Sequence, residues 1–483
     1  MKFFTTSLAI LFSVLIFGQG NVFWSSIEVV NSDPGKGSAR PRITAVNGNI
    51  PVIIWGDKSN SFVYFSRKSS GSWSNGLKLN PSGMTVFASD WAGPELAANG
   101  NTVFVSFNAL PEKSEKSYVV SSTDGGINFS SPVPVSNNIW TRFPTPAVDE
   151  NGKPYVAFME FDSGFVDPHY AVATSSNSGQ SFTASVIGTS LAPGEVCDCC
   201  PAFLWADLNN VALFFRNNDN NLRDIWASVS NNSSATFTKA ADIDDNNWMI
   251  NSCPSTGPDA LIIGDSLIAV WMSGASTKSR INMGTADISG LSIGRNVEIN
   301  PGVPSSANQN YPRIAGSTDT LGVVWQETGQ GKIVIKGLFS TTGIQGLLNA
   351  DADTISELSD IFQVKPDIAF QNGVFHITWQ NSVQNSVLYR TLSVDGPIGL
   401  HQINKSISIE VFPNPSSEDI NVEVPLKYIG GAMVLRNNQG QIILQKKIID
   451  EKNKINSTML PNGVYFLTVD QNGSHESVKL FVE

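Results

Sequence analysis

Short apolar segments separated by polar turns recur along most of the chain. Seven of these segments end in an aromatic side chain, at Trp55, Phe107, Phe158, Phe215, Trp271, Trp325 and Trp379. Successive aromatics are 51 to 57 positions apart, and further strand-like segments follow each one. A period near fifty with several strands per unit is typical of a β-propeller. We predict an all-β fold with a seven-bladed β-propeller at 23–395, and six blades as the alternative if one unit is irregular.

The N-terminal segment predicts how the propeller closes. The seventh unit ends after its third strand, at 387–390, whereas 26–30 has the pattern of a fourth strand with no unit of its own. We therefore expect 26–30 to complete the seventh blade. Such a closure leaves no sheet edge exposed around the ring.

The first residues have the pattern of a secretory signal peptide. Lys2 precedes an apolar stretch at 8–17, and the small residues Gly18 and Gly20 follow it. We predict that 1–20 is a signal peptide, because the stretch is too short for a typical membrane-spanning helix. No later segment has the length and apolarity of a membrane span, so we expect the mature protein to be soluble or tethered by its tail.

The last part of the chain follows an expected linker at 396–408 and carries two motifs. They are Val411-Phe412-Pro413-Asn414-Pro415 and Pro461-Asn462-Gly463-Val464-Tyr465-Phe466-Leu467. With these motifs, residues 409–483 resemble the C-terminal sorting domain of the type IX secretion system of the Bacteroidetes. The resemblance implies a small β-sandwich that the type IX secretion machinery recognises. It also implies a protein that is secreted or attached to the outer-membrane surface.

The charge of the chain excludes one class of partner. Lysine and arginine number 31 against 42 aspartate and glutamate residues, which gives a net charge of −11 at pH 7. Binding to phosphate backbones needs a basic surface, so nucleic acid is not expected as a partner. Charged residues make up only 15% of the chain, and glycines number 40. This composition suits many short strands joined by polar turns.

A second motif lies between the third and fourth strands of several units. Residues 122–129 fit the Asp-box pattern S-x-D-x-G-x-x-W/F, and 175–182 fits it with Asn177 in place of the aspartate. The short side chain accepts hydrogen bonds from N–H groups of the turn, and glycine permits a positive φ. We interpret these motifs as folding devices. Asp-boxes on a propeller resemble the sialidase (BNR-repeat) superfamily, and this resemblance implies an extracellular glycan or glycoprotein as partner.

The likeness to sialidases also implies certain catalytic residue types. Sialidases hold the substrate carboxylate with three arginines, whose planar forks suit bidentate binding. They also use a tyrosine nucleophile activated by a glutamate, and an aspartate as acid/base. No Tyr–Glu pair can be assigned in this chain. Arg42 and Arg313 each stand in the order Pro-Arg-Ile, whereas the family motif has the order Arg-Ile-Pro. The candidate catalytic residues are Arg42, Glu160, Arg216, Arg223, Asp224 and Arg313.

All four cysteines, Cys197, Cys199, Cys200 and Cys253, lie in two segments that precede the innermost strands of blades four and five. We therefore expect the two segments to be neighbours. Three interpretations are open. Four cysteines in an exported chain suggest two disulfides. A thiolate site would suit copper or zinc, with His169, in an expected loop of blade three, as a further ligand. A reactive thiol is the third interpretation.

The preferred functional interpretation is a secreted or cell-surface, sialidase-like propeller that binds or processes extracellular glycans. One alternative is an enzyme, either an exo-sialidase or a metal-dependent enzyme at the cysteine cluster formed by 197–200 and Cys253. Another alternative is a non-catalytic propeller that binds proteins or mediates adhesion. Convergent arginines in a closed pocket would favour the enzyme, and a flat aromatic face would favour binding.

Overall fold

The structure is a computed structural model that describes residues 22–357, 361–394, 409–417, 419–424, 428–458, 460–471 and 474–482. The predicted signal peptide at 1–20 and the predicted linker at 396–408 lie outside these residues. The chain divides into two units, Met1–Ile398 and Gly399–Glu483. Among the described residues, no helix has the length and apolarity that crossing a membrane would require.

Seven antiparallel sheets make up the strands described in the first unit. The chain begins with β1 (Val22–Trp24) and β2 (Glu28–Asn31), and a short 3-10 helix follows at Pro34–Lys36. Sheet 1 contains β3 (Ala39–Val46), β4 (Ile50–Asp57), β5 (Phe62–Ser69), β6 (Ser72–Trp73) and β7 (Leu77–Lys78). Sheet 2 contains β8 (Thr85–Val86), β9 (Glu95–Asn99), β10 (Thr102–Leu110), β11 (Ser117–Ser122) and β12 (Val133–Pro134). Sheet 3 contains β13 (Thr141–Val148), β14 (Pro154–Asp162), β15 (Val166–Thr174) and β16 (Val186–Ile187).

The remaining four sheets continue the same order. Sheet 4 contains β17 (Glu195–Val196), β18 (Phe203–Asp207), β19 (Asn210–Asn218), β20 (Ile225–Ser230) and β21 (Lys239–Asp242). Sheet 5 contains β22 (Asp259–Ile263), β23 (Ser266–Ser273), β24 (Arg280–Asp287) and β25 (Ile293–Glu298). Sheet 6 contains β26 (Asn308–Gly316), β27 (Leu321–Gly329), β28 (Lys332–Ser340) and β29 (Asp353–Thr354), with helix α1 (Gly343–Asn349) between its last two strands. Sheet 7 contains β30 (Gln363–Gln371), β31 (Val374–Asn381) and β32 (Ser386–Val394).

The second strand of each repeat forms the core, because neighbouring sheets pack on both of its faces. All seven repeat aromatics named from the sequence are fully buried. In β19 the two faces are easily distinguished: Phe214 packs with Trp271 of sheet 5, whereas Phe215 packs with Tyr155 of sheet 3. Burial on both faces explains why these strands have continuous rather than alternating apolar sequences.

The sheets close into a ring. Each innermost strand lies beside the innermost strands of the two adjacent sheets, in the order β3, β9, β13, β18, β22, β26 and β30, and β30 lies beside β3. The N-terminal strand β2 pairs with β32, with Glu28 opposite Tyr389. The predicted completion of the last sheet by the N-terminal segment is therefore confirmed, as is the propeller fold. The blade count of seven stays a prediction, which the seven sheets and their ring of contacts support.

The Asp-box turns make the local hydrogen bonds that their sequence suggests. Asp124 Oδ1 accepts hydrogen bonds from the backbone N–H groups of Ile127 and Asn128, both at 2.9 Å. Asn177 Oδ1 accepts one from Ser181 N at 3.0 Å in the corresponding turn of sheet 3. Phe129, the last residue of the first motif, packs edge-on against Phe65 of sheet 1. These contacts stabilise the turns and their packing against the neighbouring sheet, in agreement with the interpretation of the motifs as folding devices.

The second unit has the two-layer architecture expected of a β-sandwich. One sheet contains β33 (Glu410–Phe412), β34 (Asp419–Glu423) and β37 (Lys452–Asn456). The other contains β35 (Ala432–Asn437), β36 (Ile442–Lys447), β38 (Gly463–Gln471) and β39 (Ser474–Val482). Side chains of both sheets, among them Ile420 and Leu467, share one buried apolar cluster. The predicted sandwich is therefore confirmed.

Candidate functional site

Every innermost strand has a proline either within its first five residues or one to two positions before it. From sheet 1 to sheet 7 the residues that follow the proline are Arg42, Glu95, Thr145, Ala202, Asp259, Arg313 and Asp367. Five of the seven are charged, and the two neutral residues belong to the adjacent sheets 3 and 4. Arg42 and Arg313 both lie within innermost strands, as the fourth residue of β3 and the sixth residue of β26.

Ion pairs between sheets join the charged members of this ring. Arg42 Nε donates to Glu95 Oε2 at 3.0 Å, and Arg40 pairs with the other oxygen of the same carboxylate. Arg313 Nε donates to Asp367 Oδ1 at 2.6 Å, and Arg313 Nη1 lies 3.5 Å from Asp259 Oδ1. The arginines that were candidates for holding a substrate carboxylate are thus already paired with carboxylates of the protein.

The carboxylates also bind the backbone of adjacent sheets. Ile43 N donates to Asp367 Oδ2, and Ile314 N donates to Asp259 Oδ2, each at 2.8 Å. Asp259 thus joins β22 to β26, whereas Asp367 joins β30 to both β26 and β3. This arrangement leaves few unsatisfied charges in the interior of the ring, where an unpaired charge would be costly.

Burial and ion pairing shift the pKa values of these groups in opposite directions. Burial alone would raise the pKa of Glu95, but Arg40, Arg42 and Arg313 outweigh it and hold the pKa at about 2. Burial raises the pKa of Asp259 to about 6 against the opposing effect of Arg313. Burial and the neighbouring Arg40 lower the pKa of Arg42 to about 10, because two cations share one carboxylate. Glu95 therefore stays ionised, which does not suit it to act as a general acid.

A central pocket opens beside this ring. Its enclosed space is about 30 Å³. Besides the ring residues Arg42, Glu95, Ala202 and Arg313, its lining includes the polar and aromatic side chains of Arg40, Trp91, Thr256, Tyr311 and Lys365. We call this feature the central pocket.

The residue before the proline places several of these side chains in the central pocket. Arg40, Tyr311 and Lys365 all have positive φ values, between 48° and 55°, a conformation that L-residues rarely adopt. The pairing register of each of their strands shifts at the same point. Such bulges redirect side chains and are frequent beside functional sites.

Lys365 has a strongly lowered pKa in the central pocket. Burial lowers the pKa of its ammonium group to about 7, Arg40 and Arg42 add repulsion, and the carboxylate of Asp90 acts in the opposite direction. Its Nζ atom lies 3.3 Å from the centre of the Tyr311 ring. Among the described residues, no carboxylate lies within ion-pair distance of Lys365. A perturbed group in a cleft marks a candidate functional site.

The three clustered cysteines, Cys197, Cys199 and Cys200, form a compact group beside the central pocket. The Sγ atom of Cys197 lies 2.6 Å from that of Cys200 and 3.4 Å from that of Cys199. The Cys199 and Cys200 Sγ atoms are 3.8 Å apart. All three residues are buried, and Trp91 packs against them. With Cys253 we call this group the cysteine centre.

Cys253 lies at the exposed edge of the cysteine centre. Its Sγ atom, the Cys199 Sγ atom and a carboxylate oxygen of Asp198 all lie within 4.8 Å of one another. The two cysteine segments are therefore neighbours, as the sequence predicted. However, Cys253-Pro254 does not occupy the start of the fifth innermost strand, because Pro258 holds that position and Cys253 lies in the preceding loop.

Positive side chains and hydrogen bonds surround the cysteine centre. Arg223 Nη1 donates to Cys197 Sγ at 3.1 Å. Hydrogen bonds from Cys199 and Cys200 lower the pKa of the Cys197 thiol to about 3, and the charges of Arg216 and Arg223 act in the same direction against burial. The hydrogen bonds of the cluster raise the pKa of Cys199, and burial raises that of Cys200. One thiolate is therefore stabilised within the group.

Arg216 connects sheets 4 and 5 through the backbone. It is fully buried, and its three nitrogens donate to the carbonyl oxygens of Thr256, Arg223 and Met272 at 3.2, 2.6 and 2.7 Å. Asp224 Oδ1 accepts a hydrogen bond from Trp248 N at 2.9 Å, and burial raises the pKa of Asp224. These contacts favour a structural role for both residues, and the catalytic role assigned to them from the sequence stays a prediction.

Glu160 and His169 lie apart from these groups and contact each other. Glu160 Oε1 accepts a hydrogen bond from Ser136 at 3.0 Å, and His169 Nε2 lies 3.8 Å from Glu160 Oε2. The expectation that His169 lies in a loop is wrong, because it stands in β15 opposite Glu160. Pro168 is tolerated there, because β16 pairs only with later residues of β15. Among the described residues, the side chains close enough to share one metal ion form two groups around the cysteines, and His169 belongs to neither.

Sequence reasoning missed most of the central pocket. Arg40, Trp91, Glu95, Tyr311 and Lys365 were not among the candidates, although three of them directly precede the proline of an innermost strand. The repeated X-Pro-X pattern was the signal in the sequence that could have identified these residues. Aligning the seven repeats on that proline would have brought Arg40, Cys200, Tyr311 and Lys365 to one register position.

Comparison with known proteins identifies the tail. Residues 410–483 match the family described as the secretion system C-terminal sorting domain. Beta-agarase A of Zobellia galactanivorans is 33% identical over 73 residues, which are 15% of this chain and 13% of that protein. The chain thus spans about an eighth of the length of this curated relative.

Solved structures with a similar fold are distant in sequence. A protein of unknown function from Dyadobacter fermentans has a TM-score of 0.45 and 11% identity, over 77% of this chain and 99% of that chain. An ulvan lyase has a TM-score of 0.49 and 10% identity, over 74% and 94%. A Hadza microbial sialidase has a TM-score of 0.41 and 12% identity, over 61% and 66%. The chain ends in a type IX secretion sorting domain, which directs its export to the cell surface or the medium.

Proposed function

We propose that the exported propeller binds an extracellular glycan through an acidic substituent, a carboxylate or a sulfate, that enters the central pocket. The observation that carries this proposal is the buried ammonium group of Lys365. It lines the central pocket beside Arg40 and Arg42 and has no carboxylate within ion-pair distance among the described residues. A buried cation without a partner is costly, and an anionic ligand would supply that partner.

The size of the central pocket agrees with this class of ligand. A water molecule needs about 10–15 Å³ of such space, so a volume of about 30 Å³ accepts a small charged group. Trp91 and Tyr311 are only partly buried and offer apolar faces beside the cations. The sugar ring would then contact these aromatic faces while its acidic group lies deeper.

Binding is better supported than hydrolysis. An exo-sialidase needs arginines that are free to hold the substrate carboxylate, whereas Arg42 and Arg313 are paired with Glu95, Asp259 and Asp367. Glu95, the carboxylate nearest to these cations, stays ionised and therefore has no proton to give. Glu95 therefore cannot supply the acid that hydrolysis needs, and an enzyme at the central pocket would have to use Lys365, whose pKa is about 7, in that role.

Calorimetric titration of the full chain with acidic and neutral carbohydrates tests the proposal. Polygalacturonate, chondroitin sulfate and sialyllactose are the acidic probes, and dextran is the neutral probe. We expect at least one acidic probe to bind at pH 6, dextran not to bind, and Lys365→Met to weaken binding at least tenfold. The matched control is Lys336→Met, because Lys336 lies in sheet 6 and hydrogen bonds Thr354 outside the central pocket. Equal binding of dextran, or unchanged binding by Lys365→Met, would overturn the proposal.

A further inference from the structure

We propose that the cysteine centre binds one soft metal cation, copper(I) or zinc(II). Cys197, Cys199 and Cys200 supply three buried thiolate ligands, and Cys253 supplies the fourth from the exposed edge. The inference does not depend on the glycan proposal, because it concerns different side chains and a different class of ligand.

The sulfur positions fit a shared cation. Zinc–thiolate bonds are about 2.3 Å long, so tetrahedral geometry places sulfur ligands about 3.8 Å apart. The separations of Cys199 Sγ from Cys197 Sγ and from Cys200 Sγ are 3.4 and 3.8 Å. The separation of 2.6 Å between Cys197 and Cys200 is shorter than this, so these two sulfurs would have to move apart by about 1 Å to bind the same ion.

Two disulfides, Cys197 with Cys200 and Cys199 with Cys253, are the rival to a single cation. Disulfides join sulfurs in pairs, whereas here three buried sulfurs lie within 4.8 Å of one another. A bridge between Cys197 and Cys200 would leave Cys199 to pair with the exposed Cys253, and a bridge between the neighbours Cys199 and Cys200 would be strained. Thiolates are the ligands that select copper(I) and zinc. One cation would bind the three buried sulfurs after Cys197 and Cys200 move apart, and Cys253, which lies near Cys199 but not in the group of three, would move inwards to become the fourth ligand.

Groups around the sulfurs provide the support that metal sites require. The Arg223 guanidinium donates to Cys197 Sγ at 3.1 Å, and its positive charge offsets the excess negative charge of several thiolates. The Tyr170 hydroxyl donates to the Cys200 carbonyl at 2.7 Å, which fixes the backbone of that ligand. Outer hydrogen bonds of this kind orient ligands and tune metal affinity. Trp91 covers the buried side of the group.

The fourth ligand comes from the next sheet. Cys253 lies in the loop before β22, and its Sγ atom lies within 4.8 Å of Cys199 Sγ. Because Cys253 is exposed, cations can reach the three buried sulfurs from this side. Closing of the fourth position by Cys253 would join the loops that precede sheets 4 and 5 through the metal.

Native mass spectrometry of the full chain, reduced and loaded under anaerobic conditions, tests this proposal. Zinc(II) and copper(I) are offered separately, each with a competing chelator. We expect one cation per chain and at least a hundredfold loss of affinity in Cys199→Ser. Cys253→Ser should lose about tenfold, because three thiolates remain. Ser252→Ala is the matched control, since it alters the residue next to Cys253 without removing a sulfur, and it should bind as the unchanged chain does.

A second measurement covers variants that fail to fold. Cobalt(II) added to the unchanged chain should give thiolate-to-cobalt charge-transfer absorption, which disappears when zinc(II) or copper(I) is added. The proposal is overturned if the reduced chain binds no cation, or if Cys199→Ser binds with unchanged affinity. It is also overturned if the chain isolated without reductant has lost four hydrogens to two disulfides and the same chain after reduction takes up no metal.

Discussion

Gly257 lies directly against the backbone of Pro201, and a Cβ atom added at Gly257 would stand 1.7 Å from the Pro201 carbonyl oxygen. The two residues belong to the loops that precede β22 and β18, and these loops also carry the four cysteines. The close approach of the two backbones therefore sets the distance between Cys253 and the three clustered cysteines. No side chain larger than hydrogen fits at position 257 without moving one of the loops.

Gly257→Ala is therefore expected to destabilise the propeller and to disturb the cysteine centre. A methyl group forced against backbone atoms costs about 1–3 kcal/mol or more, since the clash cannot be relieved by a side-chain rotation. Urea denaturation followed by tryptophan fluorescence measures this loss. Gly302→Ala is the matched control, because no atom lies within 4 Å of its added Cβ. Equal midpoints for both variants would contradict the close approach.

Glu95→Gln should be strongly destabilising, because it leaves the guanidinium groups of Arg40 and Arg42 buried beside a neutral amide. Removal of one member of a buried ion pair costs about 3–5 kcal/mol. Glu298→Gln serves as the control, since Glu298 is about one-third exposed and lies 3.4 Å from Arg280. That variant should lose less than about 1 kcal/mol. Chemical denaturation at pH 7 separates the two expectations.

The pH dependence of stability gives Glu95 a second signature. Its pKa is about 2 in the folded chain and close to 4.3 in an unfolded chain. The stabilisation by the ionised carboxylate is thus fully present above pH 4.3 and is lost as the pH falls towards 2. Asp259, whose pKa is raised to about 6, has the opposite effect, because stability falls as the pH rises from about 3.9, its pKa in an unfolded chain, to about 6. Glu95→Gln should flatten only the acidic part of the curve, between pH 4.3 and 2.

Much of the fold was predictable from the sequence for one physical reason. A strand buried on both faces must be apolar throughout, so strands such as β4 and β23 stand out from the polar turns around them. The closing strand β2 was predictable because the seventh repeat lacked a partner for β32. Element boundaries and the loop assignment of His169 were not predictable, since pairing of β15 with β14 overrides the local preference of Pro168.

The central pocket was harder to predict because its residues are distant in the chain. Arg42 and Glu95 are 53 positions apart, and they meet only because adjacent innermost strands lie side by side. The positive φ values of Tyr311 and Lys365 come from register shifts in paired strands, which one strand's sequence does not specify. Cysteines, by contrast, are few, so the proximity of the two cysteine segments could be inferred from their places before the innermost strands of adjacent sheets, although Pro258 rather than Pro254 directly precedes β22.

Arg216→Met should destabilise the chain without a specific effect on glycan binding, because its contacts are to the backbone. The substitution leaves the carbonyl oxygens of Thr256, Arg223 and Met272 buried without their donor. Each unsatisfied group costs about 1–3 kcal/mol, so we expect a loss of at least about 3 kcal/mol. Arg67→Met is the matched control, since Arg67 Nε has no hydrogen-bond partner among the described residues.

The affinity of folded Arg216→Met for the acidic probe distinguishes a structural role of Arg216 from a direct role in binding. If Arg216 only supports the fold, the Arg216→Met protein that remains folded at low temperature binds the acidic probe with unchanged affinity. A folded variant that has lost binding while keeping its denaturation midpoint would instead restore the sequence-based prediction of a direct role.

Lys365 should make the affinity for an acidic glycan depend on pH near neutrality. Its pKa of about 7 in the folded chain means that the ammonium form, which attracts the anion, predominates at pH 6 and is a minor form at pH 8. When only the charged form is competent, the apparent dissociation constant rises in inverse proportion to its population. We therefore expect affinity to fall about tenfold between pH 6 and pH 8 in calorimetric titration.

Two variants identify Lys365 as the origin of that pH dependence. Lys365→Arg keeps a positive charge throughout this range and should flatten the profile, whereas Lys365→Met should bind weakly at both pH values. Asp259 also becomes charged near pH 6 and would weaken anion binding in the same direction as the pH rises. A profile that keeps its full slope in Lys365→Arg would therefore assign the effect to Asp259 and would contradict the role given to Lys365.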